Sequence, residues 1–503
     1  MQYKNPVIVS DYSDPDVIRV GDDFYMVASS FNHVPGVPVL HSKNLVEWEI
    51  INYVIDSLPF EKFNKVRHGE GAWAPSLREH NGKFYCLIPF PDEGIYVAET
   101  EDLHGKWSLL RPLITGAGYE DPCPIWHNGK CYIVFAFVKS RIGFNSKLAV
   151  VEADEELKSV TSEYKIIFDG HDIAPNIEGP KFYKKGIYFY ILAPVGGVRT
   201  GWQVALRSQN IYGPYEHKVI LRQGDSPVNG PHQGALIDLD DYGEKWAFMH
   251  FQDMGAYGRV VHLQPAVWEN GWVICGKYEG DNIAGTPVPF GEYPVNVSTG
   301  YAIDPSDEFD GDKLSLVWQT PANRGEDWYS LKRGLKLNCI YYEGNSLSDV
   351  PQLFMQKVNY FNFSIKCKCK LNLINDGDEA GFVMFGRKYV YACVVRRDGA
   401  NYMEIREGVI GGESDETLAK SQLYDDDYVT FSLSAKRENP YNLTFKLSFG
   451  GSAFTHKFSA ERGVWTGAKV GVYARSNEEN SKGSALFKHF RVTCTDNRVN
   501  PEN

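Results

Sequence analysis

SDPDVIRVGDDFYMVAS, residues 13–29, carries the pattern from which the fold of the N-terminal part can be read. A short apolar strand runs into a turn at Gly21-Asp22, and a second strand opens on the aromatic pair Phe24-Tyr25. The same plan returns four times, as WAPSLREHNGKFYCLIPF (73–90), EDPCPIWHNGKCYIVFAF (120–137), IEGPKFYKKGIYFYILAP (177–194) and HQGALIDLDDYGEKWAFMHF (232–251). Asp14, Ala74 and Asp121 each precede the tyrosine of the second strand by 11 residues; Glu178 precedes Tyr188 by 10, and His232 precedes Trp246 by 14 across a longer turn. Asn81-Gly82 and Asn128-Gly129, each set between apolar runs, are strong hairpin signals.

Each copy continues through a third strand, a polar corner such as HSKNLVEWEI (41–50), and a fourth strand. Four-stranded units repeated at such intervals read as propeller blades, because a lone blade leaves apolar faces bare and a ring covers them. Five copies predict a five-bladed β-propeller over residues 1–303. Beyond Asp304-Pro305 the repeat ends. Alternating runs such as FNFSIKCKCKLNL (361–373) and ALFKHFRVTC (485–494) then predict a β-sandwich over 304–497, followed by a polar tail, 498–503. The expected class is all-β.

Composition agrees. The chain has 503 residues, too many for one core, with 14% aromatic residues, 47 Gly and 26 Pro. A net charge of −12 argues against a nucleic-acid partner. No apolar run is long enough to span a membrane. The opening MQYKNPVIVSDYSDPD lacks a basic stretch followed by an apolar core, so the expectation is a cytoplasmic protein without a signal peptide. Nine cysteines, mostly inside apolar strand patterns, fit buried thiols in a reducing compartment. Cys367 and Cys369 share one strand face but have no zinc-site companions and read as structural.

In a propeller the first strand of each blade lines the central channel, so Asp14, Ala74, Asp121, Glu178 and His232 should ring one mouth of it. Each acid alone would pass as a turn cap. Three at one repeat position repel one another and lose hydration, a poor arrangement unless chemistry requires it. Two carboxyls flanking a sugar can cleave a glycosidic bond, one ionised to activate water and one protonated to serve the leaving oxygen. A third can raise the proton affinity of the acid.

The Asp14-Pro15-Asp16 opening followed by VGDDFYMVASSF and HSKNLVEW, then GAWAPS, YEDPCP, IEGPK and GRVVHLQPAVWENGW, resembles glycoside hydrolase family 43 over the whole expected propeller. The segment 306–497 resembles the β-sandwich that follows the catalytic domain in the family's β-xylosidases. The resemblance implies an inverting exo-glycosidase acting on pentosides. Asp14 then matches the general base, Glu178 the general acid, and Asp121 the carboxylate that tunes and orients the acid. Phe31 and Trp73 match aromatics of the first sugar pocket, and Arg259 an arginine that holds the terminal sugar. Ordinary blade packing for the aromatics and an ion pair for Arg259 are the competing readings. No cofactor is implied as required, but His232 matches a residue that in parts of the family helps hold a hydrated calcium ion. The family's usual Phe-x-Pro-Asp-Pro approach is here Tyr12-Ser13-Asp14-Pro15-Asp16, with Ser13 in place of Pro. Asp16 is expected to be structural.

The expected substrate is a xylo-oligosaccharide, cut at its non-reducing end. The rivals are an α-L-arabinofuranosidase or bifunctional enzyme acting on arabinoxylan fragments, a retaining fructan hydrolase, and a non-catalytic sugar-binding propeller. For the sandwich three roles stand open: closing one side of the pocket, binding carbohydrate, or forming a homo-oligomer.

Overall fold

The protein is described by a computed structural model covering residues 1–279, 284–423, 428–438, 443–449 and 454–496. The expected tail, 498–503, lies outside the described residues.

Five four-stranded antiparallel sheets follow one another along the chain, each with its strands in sequence order. Their first strands are Asp16–Val20, Ser76–His80, Tyr119–His127, Lys181–Lys185 and Gly234–Asp238. The last strand of blade 5 is Trp272–Cys275. The Asn-Gly hairpins adopt the left-handed backbone that such two-residue turns demand, with Asn81 and Gly82 at φ 53° and 77°.

The second strands read as nearly unbroken apolar runs because both faces are covered. Along Tyr188–Val195, Phe189, Ile191 and Ala193 pack with Val134 and Val150 of blade 3, whereas Tyr190 and Leu192 pack with Phe248 and Val273 of blade 5. The ring closes where Val17, Phe24 and Met26 of blade 1 meet Ala235, Met249 and Leu263 of blade 5. The N-terminal segment locks that seam. Gln2–Lys4 pairs with Phe290–Glu292, and Ile8 bridges Val261. The buried Asn5 amide donates to the carbonyls of Leu263 (2.7 Å) and Val288 (2.8 Å), and its oxygen accepts from the Leu263 N–H (2.8 Å).

Deeper in the channel, Asp16 accepts from the Leu77 N–H (2.8 Å) and from Arg78 Nη1 (2.7 Å), with Lys181 Nζ 3.7 Å away. Lys181 also donates to the Pro75 carbonyl (3.0 Å). One fully buried carboxylate thus ties blades 1, 2 and 4 together, which agrees with the structural reading of Asp16.

The C-terminal unit packs two sheets face to face. One carries the strands Phe363–Asn372, Val429–Arg437 and Ser484–Cys494, the other Glu379–Phe385, Lys388–Arg397 and Lys469–Ser476. Phe382, Met384, Phe431, Phe487 and Phe490 fill the space between them, and Cys367 and Cys369 lie in this core. On its outer face, the second sheet buries Glu379 between Arg406 (2.8 Å) and Arg475 (3.1 Å). The segment carrying Leu347, Val350 and Leu353 packs over that face. The sandwich also grips the propeller. Val34 bridges Thr320, His68 bonds the Ser348 carbonyl (2.9 Å), and Arg462 pairs with Asp253 (2.9 Å).

Replacing Asp16 by Asn leaves two interior cations without their counter-ion. The expected cost is about 3–5 kcal/mol, read as a lowered urea midpoint and melting temperature; a loss within error would show the cluster to be energetically idle.

Candidate active site

Asp14 and Asp121 occupy equivalent places in blades 1 and 3, just ahead of or within the first strand, and both have left-handed backbone, at φ 56° and 55°. Asp tolerates this region better than most residues, but it remains a strained choice at two matching positions. In blade 3 the turn coincides with a β-bulge between Glu120 and Cys123. In blade 4 the left-handed residue is Gly179, φ 56°, so Glu178 is presented one step earlier.

The ring brings the expected residues together. Asp14, Phe31, Trp73, Ala74, Asp121, Glu178 and Arg259 all line one cavity of about 360 Å³. His232 is 1% exposed and sits behind it, with Nε2 3.3 Å from Glu178 Oε1 and its ring 5.0 Å from that of Phe251.

Each acid has a different environment. Asp14 Oδ2 accepts from the Ser29 hydroxyl (2.6 Å), and Arg259 Nη1 lies 3.3 and 3.4 Å from its two oxygens. The guanidinium rests on the Phe251 ring at 4.9 Å. Asp121 is buried and accepts from the Gly179 N–H at 2.8 Å. Loss of hydration, then the charges of Glu178 and Asp14, push its carboxyl up to about 7. Glu178 has the most exposed side chain of the three, 33% accessible against 9% for Asp14.

Several residues of the cavity were not anticipated. Glu120 is buried beside Asp121, and desolvation, followed by repulsion from Asp121, Glu178 and Asp14, drives its carboxyl far above the usual range. Only the bulge turns two consecutive residues toward the pocket, and no local pattern announces a bulge. Ser29, which bonds Asp14, stands at the same end of the second strand, where serine is unremarkable. Gln233, next to His232, also lines the wall. Trp465 comes from the sandwich, in a left-handed turn (φ 65°), and reaches the cavity with its ring 6.0 Å from Trp73. Phe31 and Trp73 also touch each other at 6.1 Å, and the Phe31 backbone bridges Ala72, so packing and lining are both true of this pair.

A second link joins the sandwich to the site. Lys357 Nζ donates to the Asp11 carbonyl (2.5 Å) and lies 3.8 Å from the Tyr12 ring centroid. The Asp11 carboxylate accepts from the Arg259 N–H (2.9 Å), and Arg259 faces Asp14. Lys469 stands directly across the strand pair from Lys357. Desolvation, then the Lys469 charge, pulls Lys357 down to about 7.

A cavity lined by four acidic side chains, four aromatics and an arginine is the site of a glycosidase. The sequence comparisons agree. Residues 3–273 match the model of Glycosyl hydrolases family 43, and residues 306–493 match the Beta xylosidase C-terminal Concanavalin A-like domain. The chain belongs to glycoside hydrolase family 43. A Xylanibacter ruminicola protein with a provisional beta-xylosidase name is 39% identical over 71% of this chain and 66% of its own length. A Bacteroides ovatus protein named non-reducing end alpha-L-arabinofuranosidase is 29% identical over 98% of this chain and 95% of its own. The fold is shared with the family 43 crystal structure from Bacillus licheniformis, at a TM-score of 0.82 and 24% identity over 98% of this chain and all of that one.

The raised Asp121 carboxyl sets a pH signature. Below pH ~4 Asp121 is protonated whether the chain is folded or not, and its burial carries no charge penalty. Between there and about 7 the unfolded chain releases this proton and the folded chain retains it, so the contribution of Asp121 to stability falls as pH rises. Asp121→Asn should therefore gain on the wild type between pH 4 and 8, by something on the order of 2–4 kcal/mol. Melting temperatures across that range read the difference, and a constant offset would contradict it.

Proposed function

We propose that the chain is an exo-acting, inverting β-xylosidase that releases xylose from the non-reducing end of xylo-oligosaccharides. The observation that carries this reading is the convergence of Asp14, Asp121 and Glu178 on one small cavity with aromatic walls.

In this reading Asp14 is the base. Its bonds to Ser29 and Arg259 fix the carboxyl group in place, where it can take a proton from the attacking water. Glu178 is the acid. Its greater exposure suits a group facing the glycosidic oxygen, where the leaving sugar departs. Asp121 orients it through the Gly179 N–H, the amide next in the chain to Glu178. Crowding of several carboxyls in one buried place, seen in the upward push on Asp121 and Glu120, lets such a site hold a proton near neutrality. Phe31, Trp73 and Trp465 offer flat apolar faces to sugar C–H groups. Trp465 closes one wall from the sandwich, the feature that favours terminal over internal cleavage.

A second reading, α-L-arabinofuranosidase or a bifunctional enzyme, is supported by the Bacteroides ovatus relative, which aligns over 98% of this chain. Rates on aryl β-xyloside and aryl α-L-arabinofuranoside separate the two.

A hydrated calcium ion in the channel is part of the proposal. Both His232 ring nitrogens are buried without a hydrogen bond, Nε2 having only the 3.3 Å approach of Glu178 Oε1, which fits a side chain meeting a water shell. Among the described residues no cluster of three His, Cys, Asp or Glu is placed to hold a metal directly. His232 is the residue that would hold the shell, and the ion would supply fixed positive charge beneath the carboxylates. Chelation should then lower the melting temperature of the wild type and leave that of His232→Ala unmoved.

Glu178→Ala should lower kcat on xylobiose by roughly 10²–10⁴-fold while sparing an aryl xyloside with an acidic leaving group, which needs no protonation. Equal losses would remove the acid assignment. Proton NMR of the first-formed sugar should show inversion at the anomeric carbon; retention would make Asp14 a nucleophile.

A further inference from the structure

A second cavity, of about 570 Å³, is walled by the same two segments as the carboxylate pocket. In the loop after the second strand of blade 4, Gly197 and Val198 line the first cavity and Arg199 lines the second. In the sandwich loop, Trp465 lines the first, and Glu461 and Arg462 the second. Arg387 completes the wall from the sandwich. The second cavity therefore lies beside the first, walled like it by residues of both domains.

Its charge is unlike that of the rest of the chain. In a protein of net charge −12, three guanidiniums meet here against the carboxylates of Asp253 and Glu461. Arg462 and Asp253 neutralise each other at 2.9 Å. The Arg199 backbone is held by the Asn229 amide, which donates to its carbonyl at 3.0 Å. Arg199 and Arg387 are exposed, and among the described residues neither is in an ion pair. Two guanidiniums from different domains, one on a tethered loop, suit a carboxylate ligand, which arginine binds through paired N–H donors.

We propose that this second cavity is a leaving-group-side site for a carboxylate-bearing sugar, a uronic acid branch on the oligosaccharide, bound by Arg199 and Arg387. The identity of the oligosaccharide rests on the pentosidase reading above; the recognition of the carboxylate does not.

The test uses the full chain. Calorimetric titration with glucuronic acid and with glucose as probes reads the site without hydrolysis. The wild type should bind the acid about 10-fold more tightly than glucose, and the double variant Arg199→Ala/Arg387→Ala should lose that margin. Turnover is the second readout. A xylo-oligosaccharide carrying a uronic acid beside the scissile bond should show a severalfold higher kcat/KM than its neutral counterpart. In the double variant the two should become equal, with the neutral substrate handled as before. Equal binding of acid and neutral sugar by the wild type, or a margin that survives in the double variant, would overturn the proposal. Binding of the acid without turnover of either oligosaccharide would overturn the pentosidase reading and leave the uronate site standing.

Discussion

The seam between blades 5 and 1 is the constraint on which everything else rests. Each blade is continuous in sequence, so no strand is shared across the closure. The ring is held shut by apolar packing and by the first few residues of the chain, which lay a strand beside Phe290–Glu292 and insert Asn5 among three backbone groups of the return path. The buried amide makes good bonds that water would otherwise supply, and each would be costly to leave unmade. If that seam opened, Arg259 on blade 5 would part from Asp14 on blade 1, and the cavity would lose one side.

Bringing acids to one point has a cost that the site meets unevenly. Asp14 has an arginine and a hydroxyl; Asp121 has one backbone N–H and little else; Glu120 has only a distant Arg141 acting against three neighbouring acids. The two least compensated groups are the ones whose carboxyls are pushed upward. The free energy is recovered elsewhere, in the five interblade cores and in the channel cluster of Asp16, Arg78 and Lys181. Stability and chemistry thus occupy different depths of one channel.

How much of this could be read in the chain follows from what repeats. The 11-residue spacing from Asp14 to Tyr25 and from Asp121 to Tyr132 is a register, and register is what a ring of blades turns into proximity. The fold and the three acids were legible for that reason. Glu120 was not, because a bulge adds a residue without changing composition. Ser29 was not, because its role depends on Asp14, across the hairpin at the start of the preceding strand, rather than on its neighbours. Trp465 lies 190 residues beyond Cys275, the end of the last blade, in a fold with its own periodicity, and only the docking of the two domains gives it a place in the pocket.

The contact of Lys357 with Asp11 has a consequence for the evolution of the two-domain chain. Asp11 also supports the backbone of Arg259, so a residue of the sandwich braces the arginine opposite Asp14 from the far side. A sandwich borrowed from another protein would have to bring a hydrogen-bond donor to the same spot, or the propeller would inherit a loosened support under its arginine. Exchange of the sandwich alone would disturb that support, and the two folds are expected to be inherited as one unit.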